Sequence, residues 1–308
     1  MPAHNVAPFV GVAIESVMAQ TFDDWELIVI DDGSVDTTAA VVERYLSRDA
    51  RLKLVRQPNR GISGARNTAM RIADGEYIAL LDSDDLWEPA FLDAQVAILR
   101  TRPDIDILTA NAWNMGGHAD GEPARPWPDP RPQPTLATII ADETAVFIMS
   151  VMRRRVFETV GPFDENLRTN EDYDYWLRAA AAGFRFARNA RPLARYRRRS
   201  DSASASDVRM LHGILRVYAK VRPLLDGRPD EIAVLDAQVA RFEAERLRAE
   251  AREAMDDGDV GRAGDRLAAL YAARGGAFIA VASLMARWAP TLFSRAYRIR
   301  RARQEAAS

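Results

Sequence analysis

Four short apolar runs, each closed by a polar turn and followed by a helix-period segment, constrain this chain more than any other feature. Trp25-Glu26-Leu27-Ile28-Val29-Ile30 runs into Asp31-Asp32-Gly33-Ser34, and Arg51-Leu52-Lys53-Leu54-Val55 ends near Pro58. Tyr77-Ile78-Ala79-Leu80-Leu81 runs directly into Asp82-Ser83-Asp84-Asp85, and Ile105-Asp106-Ile107-Leu108-Thr109 is the fourth run. Helical patterns lie from about Pro8 to Ala19, from Thr37 to Ser47, after Gly61, and from Pro89 to Thr101. Strand and helix in alternation predict an α/β fold: a Rossmann-like, mostly parallel sheet covered by helices on both faces. Three carboxylates at the end of a buried strand repel one another and resist desolvation unless a cation meets them. Open sheets of this class hold ligands at the carboxyl ends of their strands. The competing reading of 82–85 is an Asp-rich turn that stops a strand and caps the helix near Pro89.

The alternation continues to about Arg199. Pro123, Pro126, Pro128, Pro130, Pro132 and Pro134 crowd one segment that can form neither a central strand nor a helix interior. It predicts an extended surface loop, either beside the acceptor side of a site or a plain linker. Beyond about Ser200 strand signals stop. Leu211, Leu215 and Tyr218, and then Ile232, Leu235, Val239 and Phe242, fall at helical spacing. Asp256-Asp257-Gly258-Asp259 reads as a turn between helices. The expected division is an α/β domain over 1–204 and an all-helical region over 205–308.

The last helical segment is apolar from Phe278 to Ala286 and is followed by Arg287, Arg295, Arg298, Arg300, Arg301 and Arg303. That pattern suits either peripheral contact with an anionic membrane or packing on protein with the arginines in water. The chain has no cysteine, which excludes disulfides and thiolate metal sites. Its net charge of −2 argues against nucleic acid as a partner. No apolar run reaches the roughly 20 residues that span a bilayer, and no signal-peptide pattern is visible. The expectation is a cytoplasmic protein, with peripheral membrane contact through the C-terminal helix as the variant.

Five segments carry chemistry. They are Pro2-Ala3-His4-Asn5, the turn 31–36, Asn59-Arg60-Gly61-Ile62-Ser63-Gly64-Ala65-Arg66-Asn67, the cluster 82–85, and Asn170-Glu171-Asp172-Tyr173-Asp174 at a helix start. Asp32 at a strand end can accept a hydrogen bond from a base imide. The turn opening at Gly61 offers N–H groups, and Arg66 a guanidinium, to anionic oxygens. The acidic cluster suits Mg²⁺ or Mn²⁺ bridging to a diphosphate. Asp172 is a candidate general base. Taken singly, the Asp31-Asp32 turn and the Glu171-Asp172 pair also fit simple helix capping.

Together these residues, with Ser16-Val17-Met18-Ala19-Gln20-Thr21, Gly161-Pro162-Phe163-Asp164-Glu165 and the helix start 171–178, resemble the inverting family-2 glycosyltransferases of GT-A fold. The resemblance covers about the first two-thirds of the chain and stops before the helical region. It implies that Pro2, His4, Asp32, Arg66 and Asp82 line a nucleotide site, Asp32 meeting the base and Asp82 the ribose. It implies that Asp84 binds the metal and Asp172 is the catalytic base. The donor is then a nucleotide-sugar, with UDP-sugars the best guess, and the acceptor a glycan, a lipid-linked or another hydroxyl. Cell-surface polysaccharide or glycoconjugate assembly is the implied setting. The rival readings are a non-catalytic nucleotide-sugar-binding or scaffold protein on the same fold, and a nucleotidyltransferase.

Two departures stand out. The family carries an apolar first strand before the Pro2-Ala3-His4-Asn5 position, so Met1 is expected to be an internal residue of that strand. His4 stands where relatives often have an aromatic residue near the base. Many relatives also carry a His after a Tyr-Arg pair, where this chain reads Tyr196-Arg197-Arg198-Arg199. Arg199 is then expected to meet the diphosphate by charge alone, or to belong to a basic surface run.

Overall fold

The computed structural model describes residues 1–117, 119–125, 127, 133–199 and 207–305. It divides into two compact units, Met1–Ala205 with Lys220–Val234, and Ser206–Ala219 with Leu235–Ser308. The expected boundary at 204/205 and the prolines at 126, 128, 130 and 132 lie outside the described residues.

The first unit opens with β1 (Pro2–Ala3), α1 (Ala7–Met18), β2 (Leu27–Asp32), α2 (Thr38–Leu46), β3 (Leu52–Gln57), α3 (Gly61–Ile72) and β4 (Tyr77–Ala79). It continues with β5 (Leu86–Trp87), α4 (Phe91–Thr101), β6 (Ile107–Met115), α5 (Leu136–Ala141), β7 (Ser150–Arg153), α6 (Arg154–Val160), α7 (Glu171–Ala181) and β8 (Phe186–Arg197). β1, β2 and β3 form a parallel sheet in that order. All six residues of β2 are buried, as a strand covered on both faces requires. A second sheet has the order β4-β7-β6-β8-β5, in which β6 and β8 are parallel and the other pairings antiparallel. Parallel pairing is thus confined to the first sheet and one central pair of the second.

The ladder between β1 and β2 extends to Met1, whose carbonyl accepts from Ile30 N at 2.9 Å and whose nitrogen donates to Ile28 O at 2.8 Å. A cavity of about 460 Å³ lies between the start of β2 and β4, lined by Met1, Ile28, Met70, Leu80, Trp87 and Val96 among others. The Gln20 side chain ties the end of α1 to α4: it donates to Glu88 O at 2.8 Å and accepts from Leu92 N at 2.9 Å.

The remaining helices are α8 (Asp207–Val221), α9 (Pro229–Asp256), α10 (Val260–Arg274), α11 (Ala277–Trp288) and α12 (Pro290–Glu305), with a 3₁₀ turn at Arg222–Leu225. No helix among the described residues is long and apolar enough to cross a membrane.

Candidate active site

The site is assembled at the carboxyl ends of β1, β2 and β4. Asp32 closes β2 and is buried. Its Oδ1 accepts from Gln57 Nε2 at 2.7 Å and from Arg60 N at 2.9 Å, which fixes the carboxylate against the start of α3. His4 Nδ1 lies 2.9 Å from Asp32 O, and Asn59 Nδ2 lies 3.2 Å from His4 Nε2. Pro2 pairs in register with Ile30 on β2. Gly33 has a φ of +72°, and a Cβ there would meet Asn59 N at 2.8 Å. A side chain at Gly33 would therefore be strained and would also collide with the neighbouring turn.

Arg66 stands on α3 and is 3 % exposed. Nη1 donates to Glu171 Oε1 at 2.6 Å and Nη2 to Asp82 Oδ1 at 2.7 Å. Both terminal nitrogens of Arg66 therefore face carboxylates. Asn67 secures the same junction. Its Oδ1 accepts from Phe163 N at 2.8 Å, and its Nδ2 donates to Phe163 O at 2.9 Å. An amide placed this way copies a backbone ladder and locks α3 to the segment that leads into α7.

Asp172 sits in the first turn of α7, after Asn170 in the left-handed region at φ 60°. Its Oδ1 accepts from Tyr173 N at 2.8 Å. Burial, then the neighbouring Glu171 charge, raises its carboxyl to about 6, while Arg66 pulls the other way. A carboxylate near 6 is well matched to proton abstraction close to neutral pH.

Asp82, Ser83, Asp84 and Asp85 form a turn in which Asp85 N donates to Asp82 O at 3.1 Å. Asp84 Oδ2 lies 3.3 Å from Arg199 Nη1, and Arg197 Nε donates to Asp84 O at 2.9 Å. Asp85 is buried and accepts from Arg197 N at 2.7 Å, while its Oδ2 has no hydrogen-bond partner. Burial and then the Asp82 charge raise the carboxyls of Asp84 and Asp85, the latter strongly. The cluster offers oxygen donors only, which fits a hard divalent ion, although Asp82 and Asp84 each already face a guanidinium. Among the described residues no three carboxylates or histidines converge to hold a metal unaided. An ion here would take part of its shell from a bound ligand, as Mg²⁺ commonly does.

The sequence-predicted residues thus fall into linked groups. Pro2, His4 and Asp32 gather at the β2 end, and Arg66, Asp82 and Asp172 gather around one guanidinium. Asp84 lies on the far side of the same turn, against Arg199. Asp85, Arg197 and Asn67 were not foreseen as site residues. Asp85 and Asn67 lay inside motifs already singled out, whereas the Arg197 N–H has no sequence signal.

Residues 1–161 match the model of the family described as "Glycosyl transferase family 2". This chain belongs to that family. Among relatives, it is 32 % identical over 193 residues to the uncharacterized glycosyltransferase EpsJ of Bacillus subtilis strain 168, covering 58 % of this chain and 54 % of EpsJ. The chain therefore spans about half the length of that relative. Among solved structures, S. aureus TarS 1-349 in complex with UDP-GlcNAc superposes with a TM-score of 0.61 at 20 % identity, covering 93 % of this chain and 85 % of that one. The mannosyltransferase PcManGT from Pyrobaculum calidifontis, in complex with GDP-Man and Mn²⁺, gives 0.60 at 21 % identity over 96 % of this chain and 81 % of that one. At these identities the likeness establishes the fold, which is GT-A with a helical C-terminal region. It matches the family-2 resemblance read from the motifs.

Proposed function

We propose that this family-2 protein transfers a sugar from a nucleotide-sugar, best read as a UDP-sugar, to an acceptor hydroxyl with inversion at the anomeric carbon. The supporting observation is Arg66, which joins Asp82 at the end of the β4 segment to the helix start that carries Asp172. That bridge supports reading Asp82 and Asp172 as parts of one site.

Asp32 accepts from the base, beside His4. Asp82, oriented by Arg66, faces the ribose. Asp84 is the residue placed to hold Mg²⁺ or Mn²⁺, which when bound would offset charge on the leaving diphosphate. Asp172 takes the proton from the acceptor hydroxyl as its oxygen forms the bond to the anomeric carbon. The bond from that carbon to the diphosphate oxygen breaks on the opposite face, and the nucleoside diphosphate leaves with the electron pair. One displacement of this geometry inverts the centre. The TarS complex contains UDP-GlcNAc and the PcManGT complex contains GDP-Man with Mn²⁺, so both neighbours take nucleotide-sugars and one contains a divalent ion. The setting we infer is polysaccharide or cell-surface glycan assembly, on a glycan or lipid-linked acceptor.

Thermal unfolding against a panel of nucleoside diphosphates, with and without Mn²⁺, tests the donor site without an acceptor. A ligand at 100 times its dissociation constant adds about 2.7 kcal/mol. Stabilisation by UDP that needs Mn²⁺ and is lost in Asp84→Ala is the expected result. Stabilisation by no nucleotide in a folded sample would overturn the reading.

A further inference from the structure

In α11 one face departs from the ordinary arrangement of a helix packed on a protein core. Its small residues face inward: Ala282 and Ala286 are buried, and a Cβ on Gly264 of α10 would come within 3.1 Å of Ala286 Cβ. Ile279 packs on Ala244, Leu247 and Leu270, but the large apolar residues of the opposite face meet water. Val281 is 53 %, Leu284 57 % and Trp288 76 % exposed, and Leu292 at the start of α12 is 62 % exposed. A soluble helix normally turns its large apolar residues to the core and its polar ones outward. Scattered exposed apolar side chains need no explanation, but a run of them along one helix marks an interaction surface.

The charges beside this surface are all of one sign. Residues 277–304 carry six arginines and no Asp, Glu or Lys. Arg287, Arg295 and Arg298 are exposed. Arg301 is paired to Asp256, and Tyr297 OH donates to Asp256 Oδ1 at 3.0 Å, so α12 is tied to the end of α9 while its outer side stays open. A protein partner would have to match both a broad apolar strip and an uncompensated row of guanidiniums. A bilayer with anionic headgroups supplies both at once: acyl chains for Trp288 and Leu292, and phosphates for the arginines. The α11 helix has 12 residues, too short for the roughly 30 Å hydrocarbon layer, so it lies along such a surface.

We infer that α11 and the first turns of α12 form a docking face for an anionic lipid surface, with Val281, Leu284, Trp288 and Leu292 entering the headgroup boundary and Arg287, Arg295 and Arg298 meeting lipid phosphates. This inference stands apart from the proposed transfer chemistry and is tested without it.

The full chain is sedimented with vesicles of phosphatidylcholine alone and of phosphatidylcholine mixed with phosphatidylglycerol. Binding to the mixed vesicles only, weakening as salt rises, is expected. The double variant Trp288→Ser, Leu292→Ser should abolish it, and Arg295→Gln or Arg298→Gln should each weaken it roughly fivefold. All four side chains are exposed, so the variants should keep the wild-type circular dichroism and melting temperature. No binding to mixed vesicles, or binding unchanged in the double variant, would overturn the inference. Self-association in solution that the double variant abolishes, without vesicle binding, would also overturn it and assign the face to a second copy.

Discussion

The guanidinium of Arg66 donates at 2.6 Å to Glu171, the residue directly before the proposed base Asp172, and the same guanidinium grips Asp82 at 2.7 Å. Removing one partner of a buried ionic group leaves the others uncompensated, at a cost of about 3–5 kcal/mol. Arg66→Ala should therefore lower the urea midpoint sharply. Arg66 also holds the Asp172 carboxyl down. In Arg66→Lys, which keeps a charge but loses the two-armed geometry, the acid limb of kcat/KM should move to higher pH. A purely structural role would lower stability and leave that limb where it is.

Asp172 itself should set that limb. Its carboxyl is raised to about 6, chiefly by burial, and only the deprotonated form can accept a proton. Activity should fall below about pH 6 with unit slope, and Asp172→Asn should remove it. Stability runs the other way. The folded state keeps its proton up to about pH 6, whereas the unfolded chain releases it near 4. Stability is therefore lost as pH rises from 4 to 6, and the full cost applies above that. Asp172→Asn, which carries no charge, should melt higher than wild type at pH 7 by ~1–2 kcal/mol. An Asn variant that is inactive and also less stable would contradict this account of the site.

The candidate site was more legible in the sequence than the sheets that hold it. Leu27-Ile28-Val29-Ile30 and Tyr77-Ile78-Ala79 announce themselves because buried strands need continuous apolar runs, and the acidic turns behind them mark strand ends. β7 and β8 gave no such signal. β8 reads Phe-Ala-Arg-Asn-Ala-Arg-Pro-Leu-Ala-Arg-Tyr-Arg, interrupted by arginines and with Pro192 opposite Asn111, where the register with β6 shifts. A proline inside a strand is tolerated at such an irregularity, but its sequence reads as a break. Tyr196-Arg197-Arg198-Arg199 looked like a basic run, yet the Arg197 N–H is what holds Asp85. Backbone donors carry no side-chain signature, so this contact required the fold.

Arg199 closes the Tyr196-Arg197-Arg198-Arg199 run, which has no histidine, and it lies 3.3 Å from Asp84. In the proposed reaction a guanidinium there would meet the diphosphate as a charge, without a coordinating lone pair. Arg199→Ala should weaken metal-free binding of UDP severalfold. Mn²⁺ should then bind the variant more tightly, because a cation that competes for Asp84 is gone. Calorimetric titrations of UDP and of Mn²⁺ into both proteins check the two signs. Equal affinities in both titrations would return Arg199 to the status of a surface charge.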